Sequence, residues 1–141
     1  MVTTAEPYRD VRKHYHAAYA SDIRNVALAR QAIASFAMEC GFTEDDVSDI
    51  RLAAGEALSN AVEHGSENAQ RGLTVECTFD GSDLAIQVED GGRGFPEPSH
   101  KPTVQPDDRG RGFGIFLMRR LMDEVTFAKN GTVVRLVRRQ T

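Results

Sequence analysis

The chain has 141 residues, of which 40% are apolar and 27% are charged, and its net charge is −4. This length suits one domain, and this composition is typical of a globular protein rather than a disordered one. Non-specific nucleic-acid binding is disfavoured, because it needs a basic surface that displaces counterions. The sequence shows no signal-peptide pattern and no apolar run near the ~20 residues that span a bilayer, so we expect a cytoplasmic protein without membrane contact.

Apolar residues recur with helical spacing in the first half of the chain and alternate in the second half, around one further helix. In chain order, the predicted elements are a strand at 10–17, helices at 22–39 and 43–64, strands at 73–79 and 84–88, a helix at 113–122, and strands at 125–128 and 132–137. Ser21 is the expected N-cap of the first helix, and Thr43 starts the second in a sequence that resembles a capping box. Asp-Gly at 80–81 and Asn-Gly at 130–131 predict tight turns, the second of them a two-residue hairpin.

These elements predict an α+β fold, in which a two-layer α/β sandwich places the helices on one face of a mixed, mainly antiparallel sheet. Antiparallel pairing is expected because the consecutive strands are joined by tight turns. We expect the domain to occupy residues 20–141, preceded at 1–19 by a leader that contains the first strand.

Three further features are interpreted as structural. Cys77 alternates with apolar neighbours and matches no metal or disulfide motif, so we expect a buried free thiol. His14 and His16 could bind a metal, but no further ligands cluster with them in the sequence, and a solvent-facing strand edge is the favoured interpretation. The basic cluster at 135–139 is interpreted as a solvated strand face.

A row of polar residues marks the second predicted helix. Glu56, Asn60 and His64 are spaced four residues apart, so they lie along one side of it. The amide oxygen of Asn60 and the carboxylate of Glu56 are ligands that suit Mg²⁺. The carboxylate could instead accept a proton from a nucleophile, and a solvated helix face would show the same row.

Two glycine-rich segments follow. Asp90 leaves a strand and precedes three glycines within 91–94, which allow a ligand to approach the backbone closely, and its carboxylate could accept a hydrogen bond from an exocyclic amine such as that of adenine. Three alternating glycines at 110–114 open the third helix, where free N–H groups and the helix N-terminus favour phosphate. Neither segment is a Walker A or a G-x-G-x-x-G motif, and each alone is also compatible with a plain loop.

The three segments together resemble a known superfamily. Glu-x-x-x-Asn on a helix, Asp-x-Gly-x-Gly after a strand and Gly-x-Gly-x-Gly opening a helix are similar to the Asn box and the two Gly boxes of the GHKL ATPase and kinase superfamily. The sequences EALSNAVEHG at 56–65, LMDEV at 121–125 and GTVV at 131–134 resemble those of the anti-sigma-factor serine/threonine kinases. The resemblance covers residues 20–137 and implies a GHKL-type sandwich.

The resemblance also implies a role for each matching position. Asn60 would hold the Mg²⁺ that bridges the nucleotide phosphates, Glu56 would act as the base toward the attacking hydroxyl, and Asp90 would recognise the adenine amino group. Gly92 and Gly94 would let the nucleotide lie against the backbone. The other nucleotide contacts expected are Arg109, Gly110, Arg111, Gly112, Phe113 and Gly114.

The function implied by the resemblance is that of an ATP-dependent serine/threonine protein kinase and anti-sigma factor, with ATP and Mg²⁺ as cofactors. It would phosphorylate a STAS-type anti-anti-sigma partner and sequester a sigma factor, without direct nucleic-acid contact, and a homodimer is an option. Two alternatives stay open, a non-catalytic ATP-binding module that switches partners and a histidine-kinase-type catalytic domain acting in trans.

Overall fold

The computed structural model describes residues 11–65, 72–91 and 111–141. Their elements follow the predicted order, with strands, helices and hairpins in the expected places. In chain order they are β1 (Lys13–Tyr19), α1 (Arg24–Glu39), α2 (Glu44–Gly65), β2 (Leu73–Phe79), β3 (Asp83–Asp90), α3 (Arg111–Leu121), β4 (Glu124–Ala128) and β5 (Val133–Arg139). None of the helices in these ranges is long and apolar enough to cross a membrane.

The five described strands form one sheet in the order β1-β2-β3-β5-β4, and all four ladders between them are antiparallel. Helix α2 packs between α1 and α3 and lies across β3. The predicted α+β sandwich is therefore confirmed, with an antiparallel sheet among the described strands. Because β5 is inserted between β3 and β4, the hairpin that ends the chain lies beside the end of β3.

The core lies between the helices and the sheet. Three alanines on α2, Ala53, Ala54 and Ala57, are at most 1% exposed and let the helix lie close to the strands. The largest fully buried side chains are Ile33, Ile50, Leu58, Leu73, Leu84, Ile86, Met118, Leu136, Val75, Val88 and Cys77. Each buried aliphatic side chain of this size contributes about 1.5–3 kcal/mol to folding. The interface between α2 and the sheet is therefore tightly packed.

The predicted N-cap of α1 is wrong, because Ile23 occupies that position and makes no side-chain cap hydrogen bond. Ser21 is buried, and within the described part of the chain its hydroxyl has no hydrogen-bond partner. Instead, the carboxylate of Asp22 accepts a hydrogen bond from the Arg24 N–H at 2.8 Å. A charged oxygen is a stronger acceptor for the free N–H groups of a helix start than a hydroxyl. At α2 the prediction is confirmed, because the Thr43 hydroxyl accepts a hydrogen bond from the Asp46 N–H at 3.2 Å.

The turn between β4 and β5 also differs from the prediction. Ala128 pairs with Val133, so four residues rather than two connect the strands, and Lys129–Gly131 forms a 3-10 turn. The Thr132 N–H and hydroxyl both donate to the Lys129 carbonyl, at 3.2 and 2.9 Å. These two bonds stabilise the wider turn. The Asn-Gly pair predicted the hairpin correctly but not its length.

The features interpreted as structural mostly agree with the structure. Cys77 is a fully buried free thiol, and burial raises its pKa to about 12. His14 is exposed at the β1 edge and bonds to Glu76 across the ladder, at 2.9 Å. Arg135 is exposed, but Arg138 is not, since only 17% of its side chain is accessible. The interpretation of a solvated face is therefore wrong for Arg138.

Arg138 joins three elements. Its guanidinium binds Asp46 at 2.6 Å and Asp49 at 3.2 Å, both in the first two turns of α2. It also donates to the Leu121 carbonyl at the end of α3. We call these four residues the Arg138 network. It holds the start of α2, the end of α3 and the end of β5 together.

Candidate functional site

A cleft opens where α2, the end of β3, α3 and the β4–β5 hairpin meet. Its lining includes Ala57, Asn60, Ala61, Val88, Asp90, Met118, Phe127, Gly131, Thr132 and Val134. The enclosed volume between these described residues is about 10 Å³, and the mouth of the cleft is open. Apolar walls with a few convergent polar groups are typical of small-molecule sites.

Asp90 supplies a carboxylate to this cleft from the last position of β3. It is 5% exposed, and its backbone N–H donates to the Thr132 carbonyl at 2.9 Å. That bond ties the end of β3 to the loop before β5. A carboxylate at the wall of a cleft can accept a hydrogen bond from a ligand that presents an N–H group.

Asn60 reaches the cleft from α2. Its neighbours on the same helix face, Ala57 and Ala61, are buried and small, so the half-buried amide of Asn60 has room beside them. The amide provides one carbonyl oxygen and two N–H donors. The structure therefore brings Asn60 and Asp90 to one cleft, although they lie in different motifs of the sequence.

Glu56 lies one turn before Asn60, against α3. A Cβ atom added at Gly114 would be only 2.6 Å from the Glu56 Oε1 atom, so the carboxylate occupies the space beside that glycine. Within the described residues, the Glu56 carboxylate has no hydrogen-bond or ion-pair partner. The helix row and the second glycine-rich segment are thus in direct contact.

The structure describes only some of the remaining predicted site residues. Phe113 is exposed on α3 and stacks on Phe116, with ring centroids 6.1 Å apart. Arg111 and Gly112 belong to the first turn of α3, and no side-chain position is described for Arg111. Gly92, Gly94, Arg109 and Gly110 lie outside the described residues.

Sequence reasoning missed several lining residues, among them Met118, Phe127 and Thr132. The guanidinium of Arg119 packs over the Phe127 ring at 5.9 Å, which covers the ring from one side. Thr132 follows a glycine in the GTVV sequence at 131–134, and that sequence indicates a family resemblance but no position in a cleft. No local pattern indicates that β4 and the loop after it border the cleft, because this depends on the position of β5 within the sheet.

The donor set can be compared with what Mg²⁺ requires. Within the described ranges, no group of three or more His, Cys, Asp or Glu residues is placed to hold a metal ion. Asn60 offers one oxygen at the cleft, and Mg²⁺ usually takes one or two protein ligands, several waters and phosphate oxygens. The residues present therefore fit a Mg²⁺ ion that is carried in part by a phosphate ligand.

Comparisons with known proteins show which family the chain resembles. A family model described as the histidine kinase-like ATPase domain matches residues 19–138. An anti-sigma F factor of Thermoanaerobacter sp. (strain X514) is 30% identical over 127 residues, which cover 85% of this chain and 89% of that protein. The serine-protein kinase RsbW of Listeria monocytogenes is 31% identical over 109 residues, covering 71% and 69% of the two chains.

A solved structure supports the fold. The crystal structure of the RsbU and RsbW domains of a Mycobacterium tuberculosis protein matches 91% of this chain with a TM-score of 0.65. Sequence identity in this match is 21%, so the likeness concerns the fold alone. This chain spans 32% of the length of that protein.

Proposed function

This chain belongs to the histidine kinase-like ATPase domain family, and we propose that it is an ATP-dependent serine/threonine protein kinase and anti-sigma factor. Its acceptor is a STAS-type anti-anti-sigma protein, and the client it sequesters is a sigma factor. The observation that carries the proposal is that Asn60 and Asp90 line one cleft, with Glu56 one helical turn away. Relatives named anti-sigma F factor and serine-protein kinase support the same function.

The cleft would bind the adenine ring of ATP. Val88, Met118 and Val134 provide apolar walls for the ring, and Asp90 at the closed end accepts a hydrogen bond from the adenine amino group. A hydrogen bond to a charged group contributes about 1.5–3 kcal/mol to such binding. Gly92 and Gly94 would let the nucleotide lie against the backbone, and Arg109, Gly110, Arg111 and Gly112 are the proposed phosphate contacts.

Asn60 is the proposed protein ligand of Mg²⁺. When bound, this ion neutralises the charge that develops on the phosphates during transfer. The amide of Asn60 contributes a neutral oxygen, so the positive charge of the ion is left to act on the nucleotide. Asn60→Ala is therefore expected to weaken the binding of Mg-ATP itself.

Glu56 is the proposed base. The serine or threonine oxygen of the partner attacks the γ-phosphorus of ATP, the bond from that phosphorus to the ADP oxygen breaks, and the hydroxyl proton passes to the Glu56 carboxylate. Because this carboxylate has no hydrogen-bond or ion-pair partner among the described residues, its lone pairs are available for the proton. A positioned base of this kind contributes roughly 10²–10⁴-fold to the rate.

Phosphoryl transfer in a defined mixture tests the proposal. Purified protein, labelled ATP and the STAS partner should yield a phosphopartner whose label survives acid and is lost in alkali, as expected for phosphoserine or phosphothreonine. Glu56→Gln should lower the rate at least 10²-fold and leave the Kd for ATP within a few-fold of that of the wild type. Binding of ATP without any transfer would favour the non-catalytic module instead. An acid-labile label would favour the histidine-kinase-type alternative.

Other parts of the proposal follow from the same function. A protein that sequesters a sigma factor acts in the cytoplasm, and a homodimer remains an option to be measured by light scattering. The division into a leader at 1–19 and a domain at 20–141 stays a prediction, with β1 of the leader region paired to β2 in the sheet.

A further inference from the structure

We propose that Gly114 is a positioning residue for Glu56. The absence of a Cβ atom at position 114 leaves the space in which the Glu56 carboxylate lies. Gly114 therefore determines the position of the proposed base relative to the cleft. The inference rests on the proposed role of Glu56. It gives Gly114 a function other than the phosphate contact that its glycine-rich motif implies.

The backbone does not require glycine at this position. Gly114 is the fourth residue of α3, and its φ angle is not in the positive region that favours glycine. Alanine would be the more favourable residue at such a helical position, because it loses less backbone entropy on folding. The reason for a glycine must therefore be sought in the space around it.

The space beside Gly114 is occupied by one side chain. The nearest atoms to an added Cβ would be Oε1, Cδ and Cβ of Glu56, at 2.6, 3.6 and 4.0 Å. Contact distances between such atoms are about 3.5 Å, so an alanine would push the carboxylate oxygen away by about 1 Å. The obstructing atom is the far end of a flexible side chain. The fold can accept the alanine, but the carboxylate cannot stay where it is.

A displacement of this size matters for a base more than for a structural group. Moving a catalytic group by about 1 Å can lower the rate on the order of 10²-fold. Asn60 and Asp90 line the cleft, whereas the distances at Gly114 concern Glu56 alone. Gly114→Ala is therefore expected to lower kcat while nucleotide binding is retained.

Gly55 provides a matched control. It is a buried helical glycine next to Glu56 in the sequence, and a Cβ atom added there would lie 3.2 Å from the Arg30 Cδ atom. Arg30 is exposed, so its side chain can move aside. Gly55→Ala therefore makes the same chemical change on the neighbouring helix without displacing the carboxylate.

The first measurement needs no nucleotide. In protein carrying ¹³C-labelled glutamate, the Glu56 carboxyl resonance is identified by its loss in Glu56→Gln. Gly114→Ala should shift this resonance, and Gly55→Ala should leave it in place. An unmoved resonance in folded Gly114→Ala would overturn the inference. If Gly114→Ala does not fold, recovery of folding in the Gly114→Ala/Glu56→Ala double variant supports the contact, and failure to recover overturns it.

The second measurement is a double-mutant cycle on phosphoryl transfer. Gly114→Ala should lower kcat by roughly 10- to 100-fold with the ATP Kd within about threefold of the wild type, and it should have no further effect in the Glu56→Gln background. Equal losses in both backgrounds, or a Kd that weakens in parallel, would assign Gly114 to phosphate binding instead. A wild type that transfers no phosphate would refute the proposed function, while the carboxyl resonance would still decide the contact.

Discussion

Helix α2 carries acidic side chains in its first two turns and in its second half, and their surroundings differ. Near the start, Asp46 and Asp49 bind Arg138 at 2.6 and 3.2 Å. Further along, Glu56 lies beside Gly114, and its carboxylate has no hydrogen-bond or ion-pair partner among the described residues. Asp46 and Asp49 are thus bound within the protein, whereas Glu56 has no such partner among the described residues.

One helix therefore carries two acids bound to Arg138 near its start and, further along, the residue proposed as the base. Burial opposes the charged form of Arg138, but hydrogen bonds from its guanidinium to Asp46 and Asp49 outweigh burial, so the pKa of Arg138 is raised and its charge is kept. The same guanidinium holds the end of α3 through the Leu121 carbonyl. Arg138 thus connects the start of α2 to the end of α3, the two helices that meet at Glu56 and Gly114.

The largest expected effect is the loss of the Arg138 network. Arg138→Ala leaves Asp46, Asp49 and the Leu121 carbonyl without their donor, and we expect a loss of about 2–3 kcal/mol in the free energy of unfolding. Urea denaturation followed by circular dichroism measures it. Arg135→Ala, on the same strand but exposed, should change stability by less than about 0.5 kcal/mol. Equal effects of the two substitutions would contradict the assignment of a structural role to this network.

The next effect concerns the cleft. Asp90→Asn replaces an acceptor oxygen with an N–H₂ group, and loss of a charged hydrogen bond worth about 2 kcal/mol weakens ATP binding roughly 30-fold. Isothermal titration calorimetry measures the change in Kd. Glu89→Gln is the matched control, because Glu89 is the preceding residue of β3, makes a surface ion pair with Lys129 at 3.8 Å and does not line the described cleft wall. It should alter the Kd less than twofold, and a similar loss in both variants would argue against adenine recognition by Asp90.

The sequence predicted the helices and strands whose formation depends on residues close together along the chain. The alternation in β2 and the spacing of small apolar residues on α2 identify these elements, because one face of a regular element is buried as a whole. The network of Arg138 was not predicted, since Asp46 lies 92 positions away. The contact of Glu56 with Gly114 likewise depends on how α2 and α3 pack, which no local pattern reveals.

Helix starts mark the limit of local prediction. Thr43 and Ser21 are equally good N-cap residue types, yet only Thr43 bonds to the first turn of its helix. Before α1, the carboxylate of the adjacent Asp22 accepts a hydrogen bond from the Arg24 N–H instead. Residue type indicates that a cap lies nearby, but the direction in which the chain enters the helix selects the residue, and this direction is set by packing.

A smaller effect is expected from the neutral cap at the start of α2. Thr43→Ala removes the acceptor for the Asp46 N–H and should cost about 1 kcal/mol in the free energy of unfolding. This is less than the loss of Arg138, because one neutral hydrogen bond disappears rather than a charged donor to three groups. Ser48→Ala, on the exposed face of the same helix, should be neutral within about 0.5 kcal/mol. A cost for Thr43→Ala as large as that for Arg138→Ala would show that the network is not the main stabiliser of this end.

The smallest effect is expected at Asp22, an acid at the surface that is paired with Arg24, and it depends on pH. The side chain and backbone of Arg24 donate hydrogen bonds to Asp22 and lower the pKa of its carboxyl to about 2, from 3.8. The stabilisation it provides is therefore complete above pH 3.8 and is lost as the pH falls through about 2. The Tm difference between the wild type and Asp22→Asn should be constant from pH 7 to 5 and vanish toward pH 2. Added salt should also reduce this difference, because solvent ions screen an ion pair at the surface. A difference that persists at pH 2 would show that Asp22 acts through its shape and not through its charge.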